Sequence, residues 1–246
     1  MLRLIRTIKD IGPRKIIKRI IRNFVYLFEK YLPEIILIKI FRLNKPIPAF
    51  RKIKKWPVYL LQKESNKSDN LSFNFLNQNY KLNFPLKWNY SMIPRLWIFK
   101  LHSFDWAREF LEKKFIDKID VGSNYPIEEI IDSWILENKI GIYDGWHSYT
   151  LSLRIRNWIW IFLSFPKLIT NKRIKSLWIQ IKWLDLHKED YLGGNHLLEN
   201  LIALCLCSLF FNSKEANNIF EKNLKKLKKE LKVQILDDGG HQERTA

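Results

Sequence analysis

An all-α fold is predicted for this chain, arranged as a curved or closed array of stacked helical hairpins, and three observations predict it. From about residue 101 onward, apolar residues recur at helical spacing in one segment after another. The intervening loops are short and carry Gly122, Pro126, Gly141, Pro166 and the Gly193-Gly194 pair, and short loops favour antiparallel helical neighbours. The 246 residues are 47% hydrophobic and 28% charged, the balance of a folded globular chain.

The first element is a basic amphipathic arm over residues 1–57, with two helices expected inside 1–43. Ile16, Ile17, Ile20, Ile21, Phe24, Val25 and Phe28 form one stripe, and Lys15, Lys18, Arg19 and Arg22 lie to its other side. Such a stripe either docks on the remainder of the fold or lies on an anionic membrane surface. Pro46, Pro48 and Pro57 then break helix and mark a linker.

The second domain is expected over 58–246. Residues 58–100, rich in aromatics and Asn, predict a small segment of short strands or irregular chain, with alternation at Phe73-Asn74-Phe75-Leu76-Asn77 and a surface loop at 63–70. Helices follow at roughly 103–115, 126–138, 147–165, 171–188, 195–211 and 214–233. The third aligns Leu151, Ile155, Trp158, Ile159 and Phe162; the fourth aligns Leu177, Ile181 and Leu184. The fifth is apolar nearly all round, which places it inside the protein. No repeat of fixed period is present, so strict solenoids are excluded.

Charge is uneven. Residues 1–58 hold 16 basic and 3 acidic side chains, a net of +13 out of +18 for the whole chain. A basic arm fits nucleic acid, an anionic membrane or an acidic polymer; abundant Lys on solvated faces, as AT-rich coding produces, is the plainer alternative. No nucleic-acid motif accompanies the charge, which argues against that partner. Residues 1–22 form no apolar signal-peptide core, and the best apolar runs, 35–38 and 158–165, fall far short of the ~20 residues of a membrane span. Location stays open at this point, with the missing signal core favouring the cytoplasm. Cys205 and Cys207, two residues apart on a helix, predict small core residues rather than a disulfide or metal clip.

Three motifs carry chemistry. Gly193-Gly194-Asn195-His196 precedes the buried helix: Asn195 is a natural N-cap, and His196 then sits in the first turn, where the helix dipole favours a neutral, proton-accepting imidazole. Asp237-Asp238-Gly239-Gly240-His241-Gln242-Glu243-Arg244 gathers glycines and charged groups at the end of a helical domain, without metal-ligand spacing. Trp146-His147-Ser148-Tyr149 leads into Leu151-Ser152-Leu153-Arg154-Ile155-Arg156-Asn157-Trp158, where aromatic rings beside Arg and Asn suit stacking on a sugar and pairing with its carboxylate. A purely structural role for each stays open at this point. No Gly-x-Ser-x-Gly elbow and no phosphate-cradling glycine loop is present.

Taken together, Phe73–Asn77, Leu101-His102-Ser103-Phe104-Asp105-Trp106, the Tyr149-to-Trp158 run, Gly194-Asn195-His196-Leu197-Leu198-Glu199-Asn200 and Gln234-Ile235-Leu236 leading into Asp237–Arg244 resemble, in order, the heparinase II/III-type polysaccharide lyases. The resemblance spans roughly 71–246. It implies an incomplete (α/α) toroid followed by a β-sandwich, and β-elimination at a uronate-containing acidic polysaccharide without a cofactor or metal. It implies that Asn195 neutralises the uronate carboxylate and that His196 acts as base or orienting group. Substrate contacts are expected from His102, Trp146, Tyr149, Arg154, His241, Glu243 and Arg244. The family continues past Gly-Gly-His-x-Glu-Arg with a Ser/Thr and a Tyr-His pair, whereas this sequence ends at Thr245-Ala246. A truncated product, a fragment, and half of a split protein whose β-sandwich lies on a separate chain all fit that departure. Little activity is then expected of this chain alone, since losing one member of an acid–base set costs about 10²–10⁴-fold. The alternative function is a non-catalytic protein of cell-surface polysaccharide assembly, held at the inner membrane by its basic arm.

Overall fold

The computed structural model describes residues 13–43, 47–51, 70–107 and 127–240. The expected 63–70 loop lies outside them apart from Asn70, as do Pro46, Pro57 and 108–126.

The fold is mainly helical, as the apolar periodicity predicts. After α1 (Pro13–Tyr31) and α2 (Glu34–Ile40) come β1 (Ala49–Phe50), β2 (Asn70–Phe75) and β3 (Gln78–Asn83). The helical body follows as α3 (Arg95–Ser103), α4 (Ile127–Glu137), α5 (Ser148–Ser164), α6 (Asn171–Leu186) and α7 (Gly194–Ser208). A short strand β4 (Phe211–Asn212) and the long α8 (Lys214–Gln234) complete it. α5 is central, packing against α3, α6 and α7, while α8 lies along α7.

Local chemistry sets these ends. Thr170 Oγ1 accepts from Arg173 N at 3.3 Å to start α6, and Ser213 Oγ accepts from Ala216 N at 3.0 Å to start α8. Caps of this kind contribute about 1 kcal/mol each. The helix expected from about 103 begins at 105, with 105–107 helical. The element absent from the sequence reading is α3, which occupies the end of the segment expected to be short strands or irregular chain. Pro94 precedes its first turn, and Phe104 takes a left-handed φ of 61°, which stops it. The expected helix over 195–211 gives way to β4 at Phe211, which pairs antiparallel with Phe50 of β1.

The short strands expected in 58–100 form one hairpin, β2 against β3, with Phe73 opposite Tyr80 and Phe75 opposite Gln78. Leu76 and Asn77 have φ of 54° and 58°, so the alternation that continues in sequence is broken by a two-residue turn. Leu71, Phe73 and Leu82 point inward.

The core is built on tryptophan. Trp88, Trp97, Trp134, Trp158, Trp178 and Trp183 are fully buried. Trp134 and Trp158 meet edge to face at 5.5 Å, and Trp158 meets Phe104 the same way at 5.5 Å. Each such ring contributes upwards of about 2 kcal/mol through the apolar area it removes from water. Cys205 and Cys207 are buried and free, with burial pushing the Cys205 thiol up to about 11. No helix among the described residues is long and apolar enough to cross a membrane.

The arm is fastened to the body rather than appended to it. Leu37 and Leu43 are enclosed in the common core, with Phe41 packed against it. Glu29 of α1, buried, reaches His187 after α6, with Oε1 2.7 Å from Nε2.

Candidate functional site

The glycine pair at 193–194 produces a sharp entry into α7. Both residues have positive φ, 70° and 60°, a conformation that L side chains rarely adopt. Gly193, not Asn195, is the N-cap, so Asn195 and His196 are the second and third residues of the helix. No side chain caps this helix, and the turn leading into it is closed by Gly193 N donating to Glu189 O at 3.1 Å. Asn195 is exposed, and the His196 side chain is 38% exposed.

Behind this exposed pair lies a buried carboxylate. Glu189 Oε1 is 3.2 Å from His196 Nδ1 and 4.0 Å from His147 Nε2, so two imidazoles from two helix starts share it. Asn200, one helical turn further along α7 and fully buried, closes the back. Its Oδ1 accepts from Glu189 N at 2.8 Å, and its Nδ2 donates to Ser152 Oγ at 2.9 Å. Ser152 Oγ in turn donates to Ser148 O at 2.8 Å, so the network ties the start of α5 to the second turn of α7. With Nδ1–H directed at Glu189, a neutral His196 ring carries its lone pair on Nε2.

The rim is aromatic and basic. The Tyr149 ring lies 4.6 Å from that of His196, and Phe99 lies 4.9 Å from His147. Arg95 pairs with Asp144 at 2.8 Å and covers the Phe99 ring. Burial, then the nearby Glu199 charge, raises the Tyr149 phenol, which keeps it a hydrogen-bond donor at neutral pH. Burial lowers His147, an effect that the Glu189 carboxylate opposes. At the far side, Gln234 Nε2 at the end of α8 donates to Gly194 O at 2.7 Å, bringing the segment that precedes residue 241 to the start of α7.

Of the residues expected to touch substrate, Tyr149 joins Asn195 and His196 at this face. Three do not. Arg154 is fully buried: Nε donates to Gln180 Oε1 at 2.9 Å and Nη1 to Gly145 O at 2.6 Å, while the guanidinium lies 3.8 Å over the Trp134 ring. Its planar fork is used to hold the 144–146 turn against the body, not to meet a ligand. His102 is likewise sealed, accepting from Trp134 Nε1 at 2.9 Å, and burial followed by the Arg154 charge lowers it to about 3. Trp146, also buried, donates from Nε1 to Asn138 O at 3.2 Å. His241, Glu243 and Arg244 lie outside the described residues.

Two residues of the constellation escaped the sequence reading. His147 stood inside a motif already singled out, between Trp146 and Ser148. Glu189 sits in an ordinary-looking Lys-Glu-Asp stretch, and nothing local marks it. No group of three metal-ligating side chains with suitable geometry occurs among the described residues.

No protein-family model, curated protein or solved structure matches this chain.

Proposed function

We propose that the Asn195–His196 face binds an acidic, uronate-containing polysaccharide and that, with the lyase family's remaining parts in place, it cleaves the chain by β-elimination. The observation that carries this reading is that Asn195 and His196 occupy one exposed helical turn whose imidazole is held by a sealed carboxylate at 3.2 Å. The proposed architecture around it is an incomplete (α/α) toroid, with the hairpins of α5 to α8 as part of the ring.

The chemistry assigns a role to each group. The Asn195 amide donates to the uronate carboxylate, offsetting charge as C5 becomes enolate-like. His196 Nε2 takes the C5 proton, while Nδ1–H stays on Glu189 so that the positive charge formed meets a carboxylate. The C5–H electrons become the C4–C5 double bond, the C4–O bond breaks, and the leaving oxygen takes a proton from an acid. Tyr149, kept protonated and stacked beside His196, donates to the bound sugar. The family's acid is a tyrosine that follows the Gly-Gly-His-x-Glu-Arg motif.

The test incubates the full chain with heparan sulfate, alginate and related polymers. Ultraviolet absorbance of unsaturated uronate reads cleavage, and affinity electrophoresis reads binding. Binding of one acidic polymer that falls about tenfold or more in Asn195→Ala supports the reading, a loss in line with removing one charge-assisted hydrogen bond. Failure to bind any of them, or binding indifferent to Asn195→Ala and His196→Ala, ends it.

A further inference from the structure

α1 is mounted with its apolar face outward. Taking about 100° per residue, Arg22 and Glu29, seven positions apart, fall on one side of the helix. That side faces the body, where Glu29 is buried against His187. Ile20, Phe24, Leu27 and Tyr31 fall on the roughly opposite side, and Phe24 is 69% exposed, Phe28 66% and Tyr31 80%. A helix that docks on its own fold through an apolar stripe shows the reverse. α2 extends the surface with exposed Ile35 and Ile40, and between the two helices lies an apolar groove of about 370 Å³ lined by Phe24, Phe28, Leu32 and Phe41.

A continuous apolar surface of this kind calls for an occupant. Its charge says which. Lys18, Arg19 and Lys30 flank the stripe on α1, with Lys39 and Arg42 beside it on and after α2, all exposed; exposed Glu34 is the one acid on that surface among the described residues. Residues 1–58 carry a net of +13. A second copy of the same chain would set two such arms against each other. An anionic bilayer supplies both an apolar interior for the rings and phosphates for the cations.

We infer that α1 and α2 form an interfacial membrane anchor, lying in the plane of an anionic bilayer with Phe24, Phe28 and Tyr31 inserted. The buried Glu29–His187 contact holds the body against the anchor. This inference is independent of the polysaccharide reading and does not involve Asn195 or His196.

The experiment sediments the full chain with vesicles of phosphatidylcholine alone and of phosphatidylcholine with phosphatidylglycerol, in low and high salt. Partition into the anionic vesicles is expected, weakened by salt. The paired variant Phe24→Asp, Phe28→Asp should reduce it about tenfold or more. Lys18→Ala with Lys30→Ala should reduce it about fivefold for each charge removed. These side chains are exposed, so unchanged circular dichroism is expected to accompany both. Asn195→Ala should leave partition unaltered. No binding to anionic vesicles, equal binding to both vesicle types, or a self-associated wild type that the phenylalanine variant dissociates overturns the inference, the last by showing a second copy on this face.

Discussion

Glu189 and His196 stand 3.2 Å apart across the boundary between interior and solvent, the carboxylate 2% exposed and the imidazole 38%. A sealed carboxylate fixes which nitrogen of an exposed ring carries the proton. Glu189→Gln keeps the size and the Asn200 contact but removes the charge, and hydrogen bonds to an ionised acceptor are about twice as strong as neutral ones. Histidine ¹⁵N spectra should show the Nδ1–H form dominant for His196 in the parent and a mixture of tautomers in the variant. Identical spectra would mean that Glu189 does not orient the ring.

His102 supplies the pH dependence. Its pKa is lowered from 6.5 to about 3 by burial and by the Arg154 charge, so the folded state holds it neutral. The stability that this contributes is fully present above about pH 6.5 and is lost as pH falls toward 3, at about 1.4 kcal/mol per pH unit. His102→Asn places an amide oxygen near the Nδ1 position, where Trp134 Nε1 donates. Urea midpoints measured between pH 7 and pH 4 should fall less steeply in the variant. Parallel slopes would remove His102 from the acid response.

How much of this was legible differs from residue to residue. The expected helices over 126–138, 147–165, 171–188 and 214–233 match Ile127–Glu137, Ser148–Ser164, Asn171–Leu186 and Lys214–Gln234 closely, because apolar spacing and glycine or proline breaks act locally. Arg154 was misassigned although the signal was there: it shares a helix face with Leu151 and Trp158, both fully buried, and chemistry was read from its type instead of its position. The stripe of α1 was plain in sequence, but its direction was not, since periodicity states that a face exists and not what it meets. Glu189 was invisible because its partners are seven and eleven residues ahead and, for His147, on another helix; only folding assembles them.

Arg154 then becomes a stability prediction. Arg154→Met removes the donor to Gly145 O and Gln180 Oε1 and strands both acceptors in the core. Breaking a buried charged network on one side costs about 3–5 kcal/mol. Chemical denaturation should show a loss of that size. A loss below about 1 kcal/mol would show that the Arg154 hydrogen bonds do not hold the 144–146 turn.

Within the arm, the attachment of α1 rests on Glu29. Glu29→Ala leaves His187 without its carboxylate in a site where both side chains are nearly sealed. Hydrogen exchange should rise selectively across Pro13–Tyr31, while α5 to α7 keep their protection. Equal exchange across α1 in parent and variant would show that the Glu29–His187 contact does not hold this helix.

The same tether can be reached from the opposite side, through Gly141. Its φ is +76°, and a Cβ placed there would lie 2.7 Å from Cη2 of Trp183. Trp183 cannot move aside cheaply, because its ring stacks on His187 at 3.9 Å and meets Trp146 at 5.7 Å and Phe41 at 5.4 Å. Gly141→Ala therefore combines left-handed backbone strain, about 1 kcal/mol or more, with overpacking of about 1–3 kcal/mol. Shifting Trp183 also displaces the ring that Glu29 holds, so exchange across α1 should rise along with the global loss. A variant that loses stability while α1 stays protected would separate the tryptophan core from the arm, and the Trp183–His187 stack would then carry no connection between them.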